Sequence, residues 1–372
     1  MSERAGRGGA WTEERQARNE RGREEARRRN EEGMGRRAGR RSRPANTVRV
    51  RVPATSANLG PGFDSLGLAL GLHDVVEARI DPADLIIEVT GEGAGTADAG
   101  EAHLVVRAMR ETFKILDGQP PGLALRCVNR IPHGRGLGSS AAAIVSGVLA
   151  ARALTDDGDI RLPDGAVLRL AAELEGHPDN VAACLLGGLT VAWTGAGGPR
   201  AVRLSPLPAI VPVVFVAPKP LSTELARGVL PETVPHAHAA ANAGRSALLI
   251  AALTSDTASD PGALLEATQD RLHQPYRAGV MPETAELVRR LRAAGVPAMV
   301  SGAGPSVLAF LPRPGAADAP GSASHDVLDS NIQEMGTGWD ISVLDVDRRG
   351  ASIQSVTPDS EGGTVPEGGT SP

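Results

Sequence analysis

The sequence is poor in aromatic residues, cysteine and lysine, and it contains no long apolar run. Aromatics make up only 2% of its 372 residues although 41% are hydrophobic, so its cores must be built mainly from Ala, Val and Leu. The length suggests two domains, or one large domain with tails. Two cysteines, Cys127 and Cys184, make a disulfide scaffold unexpected and provide no zinc-binding spacing. No apolar stretch approaches the ~20 residues that span a bilayer, and no secretory leader is expected. No membrane partner is expected, and the expected setting is reducing and cytoplasmic.

Charge is distributed unevenly. Residues 1–45 hold 14 Arg against 8 Glu, so they carry +6 and leave −11 to the rest of a chain whose net charge is −5. Beyond Trp11 and a few Ala and Met, this segment has almost nothing to bury. It is expected to be disordered or loosely helical. Its charge suits nucleic acid or an anionic surface. A dispensable extension or a misread upstream start codon is the favoured explanation, so no nucleic-acid partner is expected. Residues 351–372, rich in Gly, Ser, Pro and Glu, are expected to be a disordered tail.

Between these ends the pattern is mixed α+β without an internal repeat. Alternation of apolar and charged residues predicts a strand at 47–52. Residues 53–63 carry too much Gly, Pro and small polar character for regular structure. Residues 64–72 are again apolar, strands are expected at 74–80, 85–90, 123–129 and 188–194, and helices at 103–116 and 166–175. A boundary near residue 205 separates domains expected at 46–205 and 206–350. The second should hold a buried strand at 209–217, with Pro212 making an edge or bend. Helices at 239–252, 263–272 and 281–294, strands at 298–300 and 307–311, a connection at 313–324, and a last helix and strand near 326–335 and 339–345 follow.

The most informative run is Pro-His-Gly-Arg-Gly-Leu-Gly-Ser-Ser-Ala-Ala, residues 132–142. Three glycines at alternate positions let the backbone turn and approach a ligand. The small-residue helix behind them offers unpaired N–H groups and the positive end of its dipole, which favour a phosphate. Ser139 and Ser140 can cap this helix, and a serine hydroxyl can reach a magnesium ion. Neither lysine of the chain, Lys114 or Lys219, follows the glycines, so this is not a Walker A loop. Ser139 occupies the position where a dinucleotide fingerprint carries Gly or Ala. The plainer alternative is a flexible loop before a core helix.

Three motifs in this order resemble the kinases of galactose, homoserine, mevalonate and phosphomevalonate, the GHMP superfamily. They are Pro-Ala-Thr-Ser-Ala-Asn-Leu-Gly-Pro-Gly-Phe-Asp at 53–64, the glycine-serine run at 132–142, and Ser-Gly-Ala-Gly-Pro-Ser at 301–306. The first motif and Glu-Gly-His-Pro-Asp-Asn-Val-Ala-Ala at 175–183 are most similar to the homoserine kinase family. The resemblance covers about residues 47–350. It implies an N-terminal domain like the second domain of ribosomal protein S5, a ferredoxin-like C-terminal domain, and an active site in the cleft between them. It also implies ATP and Mg²⁺ as cofactors and L-homoserine as phosphoryl acceptor in threonine biosynthesis. A homodimer is the expected assembly.

The resemblance also proposes site residues. Pro132, His133, Gly134, Arg135, Gly136, Leu137, Gly138, Ser139, Ser140, Ala141 and Ala142 would form the ATP site. Homoserine is a zwitterion, so its pocket needs acceptors for an ammonium and a cation for a carboxylate. Asn58 and Asp64 flank a Gly-Pro-Gly turn, and Asp64 would hold the ammonium or the hydroxyl; alternatively both residues only cap the turn. Arg227 and Arg277 would bind the carboxylate, since a guanidinium fork suits it, against the plainer role of surface charges. Thr223 lies one helical turn before Arg227. His177, Asp179 and Asn180, read as a polar loop, would line the acceptor pocket. Magnesium would be held by Ser140 and by Glu173 or Glu175, with Glu173 preferred. A general base is left open: relatives resembling mevalonate kinase use Asp where this chain has Asn180, which favours direct transfer. Ser301, Gly302, Ala303, Gly304 and Ser306 would close the cleft, or form only a tight turn.

Overall fold

The computed structural model describes residues 47–95, 100–255, 261–313, 328 and 330–356. The expected extension at 1–45, most of the 313–324 connection and residues 357–372 lie outside the described residues.

The chain begins with strand β1 (Thr47–Ala57), β2 (Leu66–Asp81) and β3 (Leu85–Gly91), followed by helix α1 (Leu104–Ile115) and β4 (Gly122–Asn129). Four helices follow: α2 (Ser139–Leu154), α3 (Gly158–Arg161), α4 (Asp164–Glu175) and α5 (Pro178–Leu186). Then come the hairpin β5 (Leu189–Gly195) and β6 (Gly198–Leu204), and β7 (Ile210–Val216). Helices α6 (Thr223–Gly228), α7 (His236–Thr254), α8 (Pro261–Ala267), α9 (Gln274–Arg277) and α10 (Pro282–Ala293) lead to β8 (Ala298–Val300) and β9 (Val307–Pro312). The described chain closes with α11 (Ser330–Met335), β10 (Asp340–Val343) and β11 (Ser352–Val356).

Among the described residues these strands form two sheets. The larger runs β11-β1-β2-β4-β3, with β5 paired to the start of β2 and β6 paired to β5. The smaller is an antiparallel sheet in the order β10-β7-β9-β8. Alternation divides the smaller sheet's side chains between two cores. Val214, Val216, Leu308 and Phe310 join the main core, whereas Val211, Val213, Phe215 and Leu311 pack with Leu287, Leu291 and Ile332. Helix α1 buries Val105, Val106, Met109, Thr112 and Phe113, a stripe at helical spacing. Helix α2 is buried on nearly every side because its Ala, Gly and Ser side chains allow close approach; a Cβ on Gly147 would meet the Val105 carbonyl at 2.5 Å.

Four sequence expectations are corrected. Residues 53–57 continue β1, paired with β2 across a bulge between Pro53 and Ala54, so the irregular loop begins only at Asn58. The polar loop at 177–180 is the N-terminus of α5, with Pro178 at its first turn. The expected disordered tail begins with a strand: Ser352–Val356 pairs antiparallel with β1 and covers its edge. Pro212 lies in an interior strand, between β10 and β9. The ring is tolerated because it sits one residue beyond the last β10–β7 pair, Val343–Val213, where Leu344 N–H still reaches the Pro212 carbonyl at 2.9 Å.

Candidate active site

The loop after β4 is anchored at its root. The buried Asp74 carboxylate accepts the N–H groups of Arg130 at 2.6 Å and Ile131 at 2.9 Å. Burial pushes its carboxyl above the ordinary range despite these bonds. Gly134, Gly136 and Gly138 then adopt φ values of 65°, 73° and 71°, the left-handed region that glycine enters without strain. Packing demands glycine too. A Cβ on Gly136 would overlap the Ser301 carbonyl, and one on Gly138 would overlap the Thr55 hydroxyl.

Of residues 132–142, the backbone of Gly134, Gly136 and Gly138 and the residues Ser139 and Ser140 line a cleft of about 240 Å³. Pro132 and His133 lie half-buried at the loop's entry. Leu137, Ala141 and Ala142 are buried in the core. Arg135 turns away from the cleft: its guanidinium donates to the carbonyls of Ala217 at 2.7 Å, Pro218 at 3.0 Å and His133 at 3.0 Å.

Facing Ser140 is a chain of polar groups. The Ser140 hydroxyl donates to Glu175 Oε1 at 2.5 Å, and His177 Nε2 lies 3.9 Å from that same oxygen. His177 Nδ1 pairs with Asp179 Oδ1 at 2.9 Å. Burial pushes the Glu175 carboxyl up, opposed by the Ser140 bond. Burial depresses His177, but the Asp179 bond and the charges of Asp179 and Glu175 outweigh it and leave this group raised. Asn180 Oδ1 accepts the Thr55 hydroxyl at 2.8 Å, locking the start of α5 to β1. The preferred Glu173 is exposed and does not line the cleft, whereas Glu175 does. Two helical positions apart means about 200° of rotation, so the two acids cannot share one face.

The third wall comes from the 58–64 turn and from the segments around α6 and α9. Asn58 and Asp64 have φ of 67° and 53°. Asn58 accepts the Asp64 N–H at 2.9 Å and donates to the Gly302 carbonyl at 2.9 Å, so it ties this turn to the Ser301–Ser306 motif while also lining the cleft. Asp64 is gripped by Arg227 through both oxygens, at 2.6 and 3.2 Å. That bond raises the Arg227 pKa still further. Arg277 is 2% exposed; its Nε donates to the Ala226 carbonyl at 2.9 Å, and its Nη2 is buried with no hydrogen-bond partner among the described residues. Burial lowers its pKa, with the Arg227 charge adding to the effect. Thr223 opens α6 and lines the same cleft as Arg227. The Ser301 hydroxyl donates to the Gly136 carbonyl at 2.7 Å, Gly302 and Ala303 line the cleft, and Ser306 Oγ accepts the Ala217 N–H at 3.2 Å. Gly304 takes a φ of 93° in the same turn.

Two family models match the chain: the GHMP kinases N terminal domain over residues 103–188 and the GHMP kinases C terminal over residues 249–319. The homoserine kinase of Streptomyces coelicolor is 56% identical over 309 residues, covering 83% of this chain and 95% of that protein. The chain belongs to the homoserine kinase family. The homoserine kinase of Clavibacter michiganensis is 50% identical over 311 residues, 83% of this chain and 94% of that protein. Solved structures agree. A homoserine kinase from Cytophaga hutchinsonii superposes with a TM-score of 0.68 at 26% identity, covering 84% of this chain and 99% of that one. A putative homoserine kinase from Listeria monocytogenes gives 0.63 at 29% identity, over 83% and 100% of the two chains. The fold is the two-domain α+β fold of GHMP kinases, and membership of this kinase family implies use of ATP. No helix among the described residues is long and apolar enough to cross a membrane.

Some supporting residues of this homoserine kinase family member have no motif to announce them. Asp74 sits in an ordinary strand, and only its charge amid apolar neighbours marks it. Asp270 accepts the N–H groups of Leu272, His273 and Gln274 and the Asn242 side chain at 2.7–3.0 Å. Burial would raise its carboxyl, but these bonds and His273 hold it down at about 2. The sequence signal is an acid a few residues ahead of Pro275, which lies in the first turn of the short helix that carries Arg277.

Proposed function

We propose that the cleft transfers the γ-phosphoryl group of ATP to the side-chain hydroxyl of L-homoserine. The observation that carries this reading is the meeting, in one small cleft, of a glycine loop at a helix N-terminus with Arg277, whose buried Nη2 lacks a partner. The first suits phosphates and the second suits a carboxylate, so the acceptor is a small acid bearing a hydroxyl. A sugar site would instead present neutral hydrogen-bonding groups. A mevalonate site would not need the acidic groups, Asp64 and Asp179, that an ammonium requires.

Among the described residues no group of three or more His, Cys, Asp and Glu could cage a metal. Ser140 and Glu175 nevertheless bring two hard oxygens together at the loop, a set that fits Mg²⁺, which takes few protein ligands beside phosphates and water. Bound there, the ion would neutralise charge on the phosphate oxygens.

The loop amides hold and orient the phosphates, since a loose phosphoryl-transfer transition state demands mainly position and charge balance. Asn180 offers its side-chain NH₂ to orient the acceptor hydroxyl, its Oδ1 being engaged by Thr55. Asp64 and Asp179 supply the negative side for the ammonium, and Arg277 the positive side for the carboxylate. With Asn at position 180, the hydroxyl proton leaves late and no dedicated base is assigned. The two free, buried cysteines accord with a reducing cytoplasm. Assembly as a homodimer is tested by light scattering on the eluting protein.

A coupled ADP-release assay with L-homoserine, mevalonate and galactose tests the function. ADP formation well above background with homoserine alone is expected. Turnover of another alcohol with none of homoserine would overturn the proposal.

A further inference from the structure

Phe63 is set apart from the other phenylalanines. Phe113, Phe215 and Phe310 are at most 3% exposed, in the cores. Phe63 is half-buried beside Asp64, behind the two arginines that line the cleft. Its ring stacks on the His273 imidazole, with centroids 3.8 Å apart and planes 9° from parallel. Two guanidinium carbons lie over the same ring: Arg227 at 5.2 Å and Arg277 at 5.4 Å from the centroid. Both distances fall within the ~6 Å range of a cation–π contact.

The physical problem at this spot is the holding of two like charges side by side. Asp64 compensates Arg227 through two hydrogen bonds, but among the described residues Arg277 reaches only one backbone carbonyl, through its Nε. The electron-rich face of an aromatic ring attracts both cations without consuming a hydrogen-bond donor. The Arg277 Nη2 donors therefore stay available to a ligand. The ring itself is backed by His273, whose Nδ1 lies 3.2 Å from the buried Asp270 carboxylate.

We propose that Phe63 is a positioning residue: its ring holds Arg227 and Arg277 as one preset pair for the acceptor's carboxylate. This rests on the carboxylate-reading role of Arg277 argued above, with Arg227 held beside it by Asp64. Phe63 acts through them, so its removal should weaken recognition of the carboxylate and leave phosphoryl transfer intact.

The test compares Phe63→Leu, which keeps apolar volume without a π face, with Phe63→Tyr, which keeps the ring. Substrates are L-homoserine and 3-aminopropan-1-ol, which lacks the carboxylate, assayed by ADP release. For Phe63→Leu the homoserine KM should rise about tenfold, equal to ~1.4 kcal/mol. Its kcat, the ATP KM and turnover of 3-aminopropan-1-ol should each stay within about twofold of the parent, and Phe63→Tyr should restore the homoserine KM. Equal losses for both substrates, or a Tyr variant as impaired as Leu, would overturn the proposal. If Phe63→Leu does not fold, His273→Leu, which removes the backing of the ring, reads the same ratio and should raise the homoserine KM about threefold. No change there would overturn it. Failure of the underlying carboxylate role shows separately, as a parent enzyme that does not distinguish the two substrates.

Discussion

The two sides of the cleft are assembled differently. The phosphate side is one continuous segment, residues 132–142, whose ligand-facing groups are mostly backbone. The acceptor side draws Asn58, Asp179, Arg227 and Arg277 from four separate segments, and nearly every group there is a side chain held by another, Arg227 by Asp64. A backbone cradle recognises a phosphate whatever the remainder of the substrate, so it can serve a whole superfamily. A side-chain constellation can be rebuilt residue by residue, so substrate choice resides there.

Breaking the phosphate side should have the largest effect. Gly138→Val forces a branched side chain into a left-handed conformation and against Thr55 and Asn180. ATP binding should fall below detection by calorimetry, and the thermal midpoint should drop by several degrees. Normal ATP affinity in this variant would contradict the cradle.

On the acceptor side, Arg277→Leu removes one charge-assisted contact, worth ~1.5–3 kcal/mol, so the homoserine KM should rise roughly 10- to 150-fold with little change in the ATP KM. Steady-state kinetics with each substrate varied in turn checks the separation.

Arg135 sharpens the comparison because it joins the two sides. Its guanidinium ties the phosphate loop to Ala217 and Pro218, just ahead of α6 with Thr223 and Arg227, and Leu221 N–H reaches the Gly134 carbonyl at 2.9 Å. In Arg135→Met both KM values should rise together, on the order of tenfold. A rise confined to ATP would place this guanidinium on the nucleotide.

The effect most remote from turnover is on acid stability. The folded-state carboxyl of Asp270 lies at about 2, below its ordinary 3.8, so its stabilisation is complete above the unfolded value and is lost as pH falls through the folded one. The difference is worth roughly 2 kcal/mol. Asp270→Asn should lower the thermal midpoint at pH 7, and the gap from the parent should close between about pH 4 and 2. A gap independent of pH would assign the effect to packing instead.

The two sides also differ in how much the sequence reveals. Alternate glycines declare their geometry locally and Ser139 opens the helix as expected, but neither serine caps it: Gly138 is the cap residue, and the Ser140 hydroxyl goes to Glu175 instead. The partners of the acceptor side lie far apart in sequence, and no spacing rule brings Arg277 beside Phe63; resemblance to a family named Arg277, and only the fold placed it. The choice between Glu173 and Glu175 depended on which face of α4 meets Ser140, a rotation fixed by packing. Helix α5 was obscured because His-Pro-Asp-Asn reads as a polar loop, although Pro178 and the acid after it suit a helix start. Strand β11 was hidden by its polar composition: only pairing along β1 makes Ser352–Val356 a strand.

The most direct measurement is a cycle of two enzymes and two acceptors: the parent and Arg277→Leu, each with L-homoserine and 3-aminopropan-1-ol, compared by kcat/KM. If the acceptor side reads a carboxylate through Arg277, losing that group should cost the parent roughly 10- to 150-fold and cost the variant little more. An equal penalty in both enzymes would contradict the account.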